Sequence, residues 1–577
     1  MFDSVAAHST NGKSGKWMVG KEAIFGCILI SSTVVTPPAT TASTQQEITN
    51  TASEPPPKRR QQRQTNIGAF VSRPIMPLQQ SKPFSIVDNQ GFRDYTKALD
   101  PSYVLPCRTT ISRQLMPNLF EKVRADILEK VKAAPAVCLT TDCWTSSTTT
   151  SYMSVTCHYL SDFKLQSNLL DCFELTDNHT AEKLARELER VAKEWAITEK
   201  IVVCVSDSAA NIKKAVGDIL RWNHLSCFAH ILNLIVRNGI QQPQILDIIK
   251  KVKAITEYTR RSTVASAKLR ETQQQMGQPQ LRLKQDVPTR WNSTYYMLKR
   301  ITDVKDPLIF TMALVNPQIP TLSLEEWEMV RETCAVLQPF EEVTVELSSE
   351  RFVTGSKVIL MARGLQRVTA HHQRNPSIHQ PIRNMVEILM AELAKRFGGI
   401  EQVSLLADAT LLDPRFKKHA FLHERYAEDA VTRVVSAASR SVRPPSLATP
   451  STEEEEGNPP LVNPPNESVP VIWADFEERV SSLRSGVQNP VTEAMLEVKG
   501  FLSEKLLPRT SDPLEWWKSR AIVLKKTCDV MKTRLCIVAT SVPSERIFSK
   551  AGQIITDRRN RLSPGKVREL IFLNANL

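Results

Sequence analysis

The sequence predicts a mixed α/β (α+β) chain in which a sheet-bearing region gives way to a long helical stretch. Two patterns carry that prediction. Between Ala136 and Leu175 the runs "VCLTTDCWTS", "SYMSVTCHYL" and "LLDCFEL" are β-branched and apolar, with polar linkers between them, and a fourth short apolar run, "KIVVCVS", follows one amphipathic helix. From 241 to about 437 the apolar spacing is helical almost throughout.

In chain order, residues 1–81 read as a disordered tail. Pro37-Pro38, a Thr/Ser/Gln-rich run and Pro55-Pro56-Pro57 cannot bury enough apolar surface to offset the entropy of ordering. The basic cluster Lys58, Arg59, Arg60 in this tail reads equally as a nuclear address, a phosphate contact or a solvated linker. From Phe84 to Val131 the pattern is helical, with Ile111, Leu115, Leu119, Val123, Ile127 and Val131 on one face and breaks expected at Pro106 and Pro117. The three strand runs then form an antiparallel meander. A helix starts at Thr180 as N-cap, with Leu184, Leu188, Val191 and Trp195 on its apolar face. The apolar strand ending at Asp207 lies between helices, which implies burial in a mixed sheet. Helices follow at about Ala209–Trp222 and Ala229–Ile240. Ser323-Leu-Glu-Glu326 is a capping box that opens a long helix, and Pro339 is expected to kink or end it. Residues 438–470 read as a flexible acidic, Pro-rich loop containing Glu453 to Glu456. The chain closes on a short helix with Ser563 as N-cap and Pro564 at its first position.

Composition narrows the function. The 577 residues hold 74 Lys+Arg against 61 Asp+Glu, and 74 − 61 gives a net charge of +13, which suits a polyanion partner. No stretch approaches the roughly 18 uncharged apolar residues of a membrane span. The 11 cysteines include no CxxC pair, so neither a disulfide scaffold nor a zinc ribbon is indicated.

Three acids stand out by context. Asp142 sits in the first strand, Asp207 ends the fourth, and Glu545 lies in the first turn of a helix capped by Ser541. Taken singly, each reads more simply as a strand-end turn former or an acid favoured by a helix dipole. Converging over a sheet, they would supply the hard oxygen ligands that two-metal phosphoryl chemistry needs.

The stretches "GFRDYTKALDPSYVLPCRTTISR", "LTTDCWTS", "VVCVSDSAANI", "CFAHILNLIV", "PTRWNSTYYML", "ATLLDPRFK", "DPLEWW" and "TSVPSERIFSKAGQIITDRRNRLSPGKVRELIFLNAN" are similar to the hAT transposase superfamily, and to its zinc-finger BED domain-containing, transposase-derived branch. The resemblance runs from about Gly91 to the C-terminus. It implies a ribonuclease-H-like catalytic core interrupted by a large all-helical insertion, with a C-terminal hAT dimerisation region completing the core. The boundaries then read as a helical, accessory DNA-binding-like segment at 82–135, the first part of the core at 136–240, the insertion at 241–495 and the dimerisation region at 496–577. By motif position the resemblance makes Asp142, Asp207 and Glu545 a catalytic triad that holds Mg²⁺ if the protein is active. Cys227 and His230 fall on the family's CxxH, which puts His230 near a scissile phosphate. Arg290 and Trp291 fall on its Arg-Trp pair, whose tryptophan stacks on a flipped-out base, and Trp144 falls near the same DNA end. Phe548, Leu570, Ile571, Phe572 and Leu573 are apolar candidates for the dimer contact. The first hundred residues hold only Cys27 and His8 as zinc-type ligands, so the branch's BED finger is expected to be absent from this chain and no zinc is expected.

The resulting expectation is a nuclear, transposase-derived protein that forms a homodimer or higher oligomer and binds DNA, as a domesticated transcription or chromatin factor rather than a working enzyme. One alternative is an active Mg²⁺-dependent DNA transposase. Another is a dimeric interaction scaffold that does not touch DNA. No membrane and no small-molecule substrate are expected.

Overall fold

A computed structural model describes residues 83–146, 149–176, 179–316, 318–349, 352–440, 489–555 and 562–577. The architecture is mixed α/β and mostly helical, with one five-stranded sheet. The described residues fall into two compact units. One holds Leu128–Thr145 and Thr150–Arg546; the other holds the described residues up to Ile127, with Ser146, Thr149 and those from Ile547 to the C-terminus. The N-terminal tail, including Lys58, Arg59 and Arg60, and the acidic run at Glu453 to Glu456 lie outside the described residues.

The sheet belongs to the first unit. β1 (Val137–Thr145), β2 (Ser151–Ser161) and β3 (Lys164–Leu175) form the expected antiparallel meander. β3 begins five residues before its apolar run does. The β2–β3 loop is the pair Asp162-Phe163, both with positive φ (45° and 54°), as a two-residue hairpin turn of primed type requires. Neither residue is the usual Gly or Asn, so the turn was not visible in the sequence. α1 (Ala181–Glu194), capped by the Thr180 hydroxyl accepting from the Lys183 N–H, leads into β4 (Ile201–Ser206). β4 lies parallel to β1 on the side away from β2, and a three-residue β5 (His224–Ser226) pairs with it, giving the order β3-β2-β1-β4-β5. β5 was not expected, because three residues are too few to carry a period.

Helices follow the sheet. α2 (Phe228–Gly239), α3 (Pro243–Arg261), α4 (Thr263–Gln275) and α5 (Trp291–Asp303) precede α6 (Leu324–Leu347), whose Ser323/Glu326 capping box forms in full. Pro339 neither ends α6 nor divides it: the helix continues for eight more residues. The supposed start of the acidic loop is also helical, since one helix runs unbroken over Glu424–Arg440. Buried apolar residues from Ala136 in the sheet region to Ala539 form one continuous core, so sheet and helices are stabilised together.

In the second unit the expected apolar face of the early helical segment appears on Met116–Ala133, where Val123 and Ile127 are buried; Pro117 lies where a π-helical turn, Ile111–Leu115, passes into that α-helix. The last helix, Pro564–Asn576, has the predicted Ser563 cap. Leu570, Ile571, Phe572 and Leu573 on it are 1–2 % exposed within the single chain, and the Phe572 ring meets Phe120 edge-on at 4.8 Å. Four of the five residues expected at a dimer contact are therefore already covered; Phe548 is half-buried.

Candidate functional site

The sheet sets two of the acids side by side. Thr140 of β1 pairs with Val205 of the parallel β4. Two residues further on from that pair come Asp142, still in β1, and Asp207, just past the end of β4, and the charge of Asp207 is felt at Asp142. Asp207 follows the last residue of β4, and its Oδ1 accepts from the Ala209 N–H at 3.2 Å.

Glu545 arrives from the far end of the sequence, in the first turn of α7 (Val542–Ile554). Three ties fix the residues that deliver it. The Ser544 hydroxyl lies 3.1 Å from that of Thr140, which also meets His158 Nε2 at 3.2 Å. The Ser541 N–H donates to Cys227 Sγ (3.3 Å), and the Phe228 N–H donates to the Ala539 carbonyl (3.0 Å). The Cys227 N–H in turn donates to the carbonyl of Ser206, the neighbour of Asp207, at 2.6 Å. The Glu545 segment is thus stitched to β1 through Thr140 and to β4 through Cys227. None of Thr140, His158 and Ser544 was singled out in the sequence, where no local pattern marks them. His158 is fully buried, and burial pushes it down to about 3, so it is neutral.

The electrostatics show the acids acting on one another. Burial, then the charge of Glu545, pushes Asp142 up to about 7; Asp207 adds to this, and the Cys143 N–H donating to Oδ1 (2.8 Å) opposes it. Burial also raises Glu545, while Arg290 and His230 hold it down. Arg290 Nη2 lies 3.9 Å from Glu545 Oε2. Arg290 immediately precedes α5, and the Trp291 N–H at the start of that helix donates to Asn233 Oδ1 of α2 at 3.2 Å. A cleft of about 430 Å³ results, lined by His230, Asn233, Arg290, Trp291, Asn292 and Glu545 among others.

Trp291 is 3 % exposed, so its ring is packed rather than presented as a face. Its Nε1 and the Nδ2 of Asn292 are buried donors with no hydrogen-bond partner. Buried orphan donors are uncommon and call for a ligand or a solvent partner. Trp144 is half-buried and stacks on Tyr152, with ring centroids 4.8 Å apart.

The donor set over the sheet is all oxygen, which suits a hard cation such as Mg²⁺. Among the described residues, neither Asp142 nor Asp207 has an ion-pair partner; each accepts instead from a nearby backbone N–H. Also among the described residues, no three His, Cys, Asp or Glu side chains are gathered tightly enough to hold an ion as they stand.

Three family models match this chain: the ZBED1 RNase-like domain over residues 140–230, the ZBED1 RNase-like helical domain over 225–336, and the hAT family C-terminal dimerisation region over 497–577. The first two span the Asp142, Asp207, His230 and Arg290 segments, and the third spans Glu545. Along these three segments the chain matches hAT-type families. Its relatives are zinc finger BED domain-containing proteins and AC transposases. It is similar to zinc finger BED domain-containing protein 4 of Homo sapiens, 27% identical over 514 residues, covering 86% of this chain and 42% of that protein. It is similar also to the AC transposase of Zea mays, 26% identical over 524 residues, covering 85% of this chain and 62% of that one. With zinc finger BED domain-containing protein 6 of Homo sapiens it shares 24% identity over 562 residues, 89% of this chain and 56% of that protein. The chain spans about half the length of these curated relatives. Among the described residues, no helix is long and apolar enough to cross a membrane.

Proposed function

We propose that the protein is a nuclear, transposase-derived factor that binds DNA through the cleft beside Glu545 and self-associates through its hAT dimerisation region. The observation that carries this reading is the meeting of His230 and Arg290 with Glu545, which comes from more than 250 residues further along the chain, in one cleft. The order of three antiparallel strands followed by a parallel fourth supports a ribonuclease-H-like core. In such a site His230 and Arg290 attract a phosphate.

A second reading, strand cleavage, is favoured by the retention of Asp142, Asp207 and Glu545 in one electrostatic field. Those three would hold Mg²⁺, which when bound supplies charge stabilisation to an in-line displacement at phosphorus. The chain's own part is to position the carboxylates through Thr140 and Cys227, and to keep Arg290 and His230 beside Glu545.

Two measurements test the proposal. The purified chain should bind DNA with an affinity that falls steeply between ~50 and ~200 mM salt, and light scattering should give a dimer or larger. Salt-independent binding, or a monomer at micromolar concentration, would overturn the corresponding part. For the cleavage reading, a Mg²⁺-dependent nick must vanish in Asp207→Asn.

A further inference from the structure

A second cleft, of about 310 Å³, opens on the helical part of the first unit between the end of α3, the start of α4 and the connector that leads to α5. Arg260, Arg270 and Arg282 line it, with the hydroxyl residues Thr263 and Ser266, and no carboxylate does. All three arginines are exposed. Among the described residues none of them has an ion-pair partner, whereas Arg290 meets Glu545 and Arg300 meets Asp303. Their own hydrogen bonds go to backbone: Arg260 Nη1 to the Leu283 carbonyl (2.9 Å) and Arg270 Nε to the Ser266 carbonyl (3.4 Å). Arg300 Nη1 holds the Arg282 carbonyl at 2.6 Å, which fixes the wall that Arg282 stands on. Each guanidinium has five donors in a rigid fork, so most remain free for a ligand. Three unneutralised cations around one concavity repel one another, and an anion with several acceptor oxygens relieves that repulsion. Phosphate matches the fork.

The connector supplies the reason for a strand of nucleic acid rather than a free anion. Leu281, Arg282 and Leu283 line the arginine cleft, while Val287, Thr289 and Arg290 line the cleft beside Glu545. The four steps from Leu283 to Val287 span at most about 14 Å, which is about four nucleotides at the 3.4 Å rise of one DNA strand. We propose that the arginine cleft grips neighbouring backbone phosphates of a DNA strand, no more than about four nucleotides from the point where that strand reaches the Glu545 cleft. It adds affinity and register without reading sequence. This rests on the DNA-binding reading above.

The test uses the full chain, with fluorescence anisotropy on a labelled duplex and a labelled single strand from ~50 to ~200 mM salt. Arg270→Glu/Arg282→Glu should weaken binding to both at least tenfold and flatten the slope of log K against log salt by about 1.4–1.8, the value for two lost phosphate contacts. Arg270→Lys/Arg282→Lys, which keeps the charge, should retain most of the slope. Circular dichroism melting guards against misfolding, and Arg282→Gln alone, with a slope loss of about 0.7–0.9, serves if the double variant does not fold. If the unaltered chain binds DNA and the variants match it in affinity and slope, this site is wrong while the DNA reading stands. If the unaltered chain does not bind DNA, both fall.

Discussion

The hydroxyls of Thr140 and Ser544 lie 3.1 Å apart, although 404 positions separate them in sequence. Both are buried, and each is a near neighbour of a carboxylate residue: Thr140 is two before Asp142 on the same face of β1, and Ser544 directly precedes Glu545. This buried hydrogen bond is one of the ties that hold the Glu545 segment against the strand carrying Asp142.

Thr140→Val should destabilise the protein by about 1–3 kcal/mol, because it strands the Ser544 hydroxyl and His158 Nε2 together. Ser544→Ala should cost about 1 kcal/mol, since Thr140 keeps His158. The double variant should cost less than the sum, by at least about 0.5 kcal/mol in urea unfolding. Strict additivity would mean that the hydroxyls do not interact.

The pH dependence follows from Asp142. Its folded value of about 7 lies above the ordinary 3.8. Folding therefore takes up a proton between the two, and stability falls as pH rises through that window, by on the order of 4 kcal/mol at most. Asp142→Asn removes this slope. The variant should melt above the native protein at pH 8 and level with it near pH 4. Millimolar Mg²⁺ should raise the native melting temperature at pH 8 but not that of the variant. Identical pH profiles would refute the assignment.

Cys227→Ala should cost about 1–3 kcal/mol, by leaving the buried Ser541 N–H without an acceptor. The more specific readout is hydrogen exchange. The Ser541 amide should lose protection in the variant, and unchanged exchange there would show that the thiol does not hold the segment.

Phe572→Ala should lower the melting temperature, with a loss of about 3–5 kcal/mol, because the ring is fully buried within one chain. A variant that melts normally but no longer self-associates would place Phe572 at the partner surface instead.

Much of this was legible in the sequence, for physical reasons. Asp207 was found because "KIVVCVS" is a short apolar run bounded by helices, a pattern that only a buried strand explains economically. The Thr180, Ser323 and Ser563 caps were read because capping is local. Pro339 does not end its helix: a proline removes a single hydrogen bond, and a long buried helix outweighs that loss. The Thr140–Ser544 and Cys227–Ser541 contacts had no local signature at all, since a hydroxyl or thiol carries no mark of a partner hundreds of residues away. The mutual placement of the three acids came from resemblance, and the β1–β4 register gives the physical basis for two of them.

The ties to Cys227 and Thr140 also impose an order on biosynthesis. At ~5–20 residues per second, a ribosome takes roughly 15–60 s to travel from one partner to the other, given that 314 positions separate Cys227 from Ser541. Throughout that interval all five strands of the sheet have been made but the helix that covers Thr140 has not. A message truncated ahead of Ser544 therefore yields a chain with an open sheet face and an unpaired buried thiol, a substrate for chaperones and proteases rather than a smaller working protein.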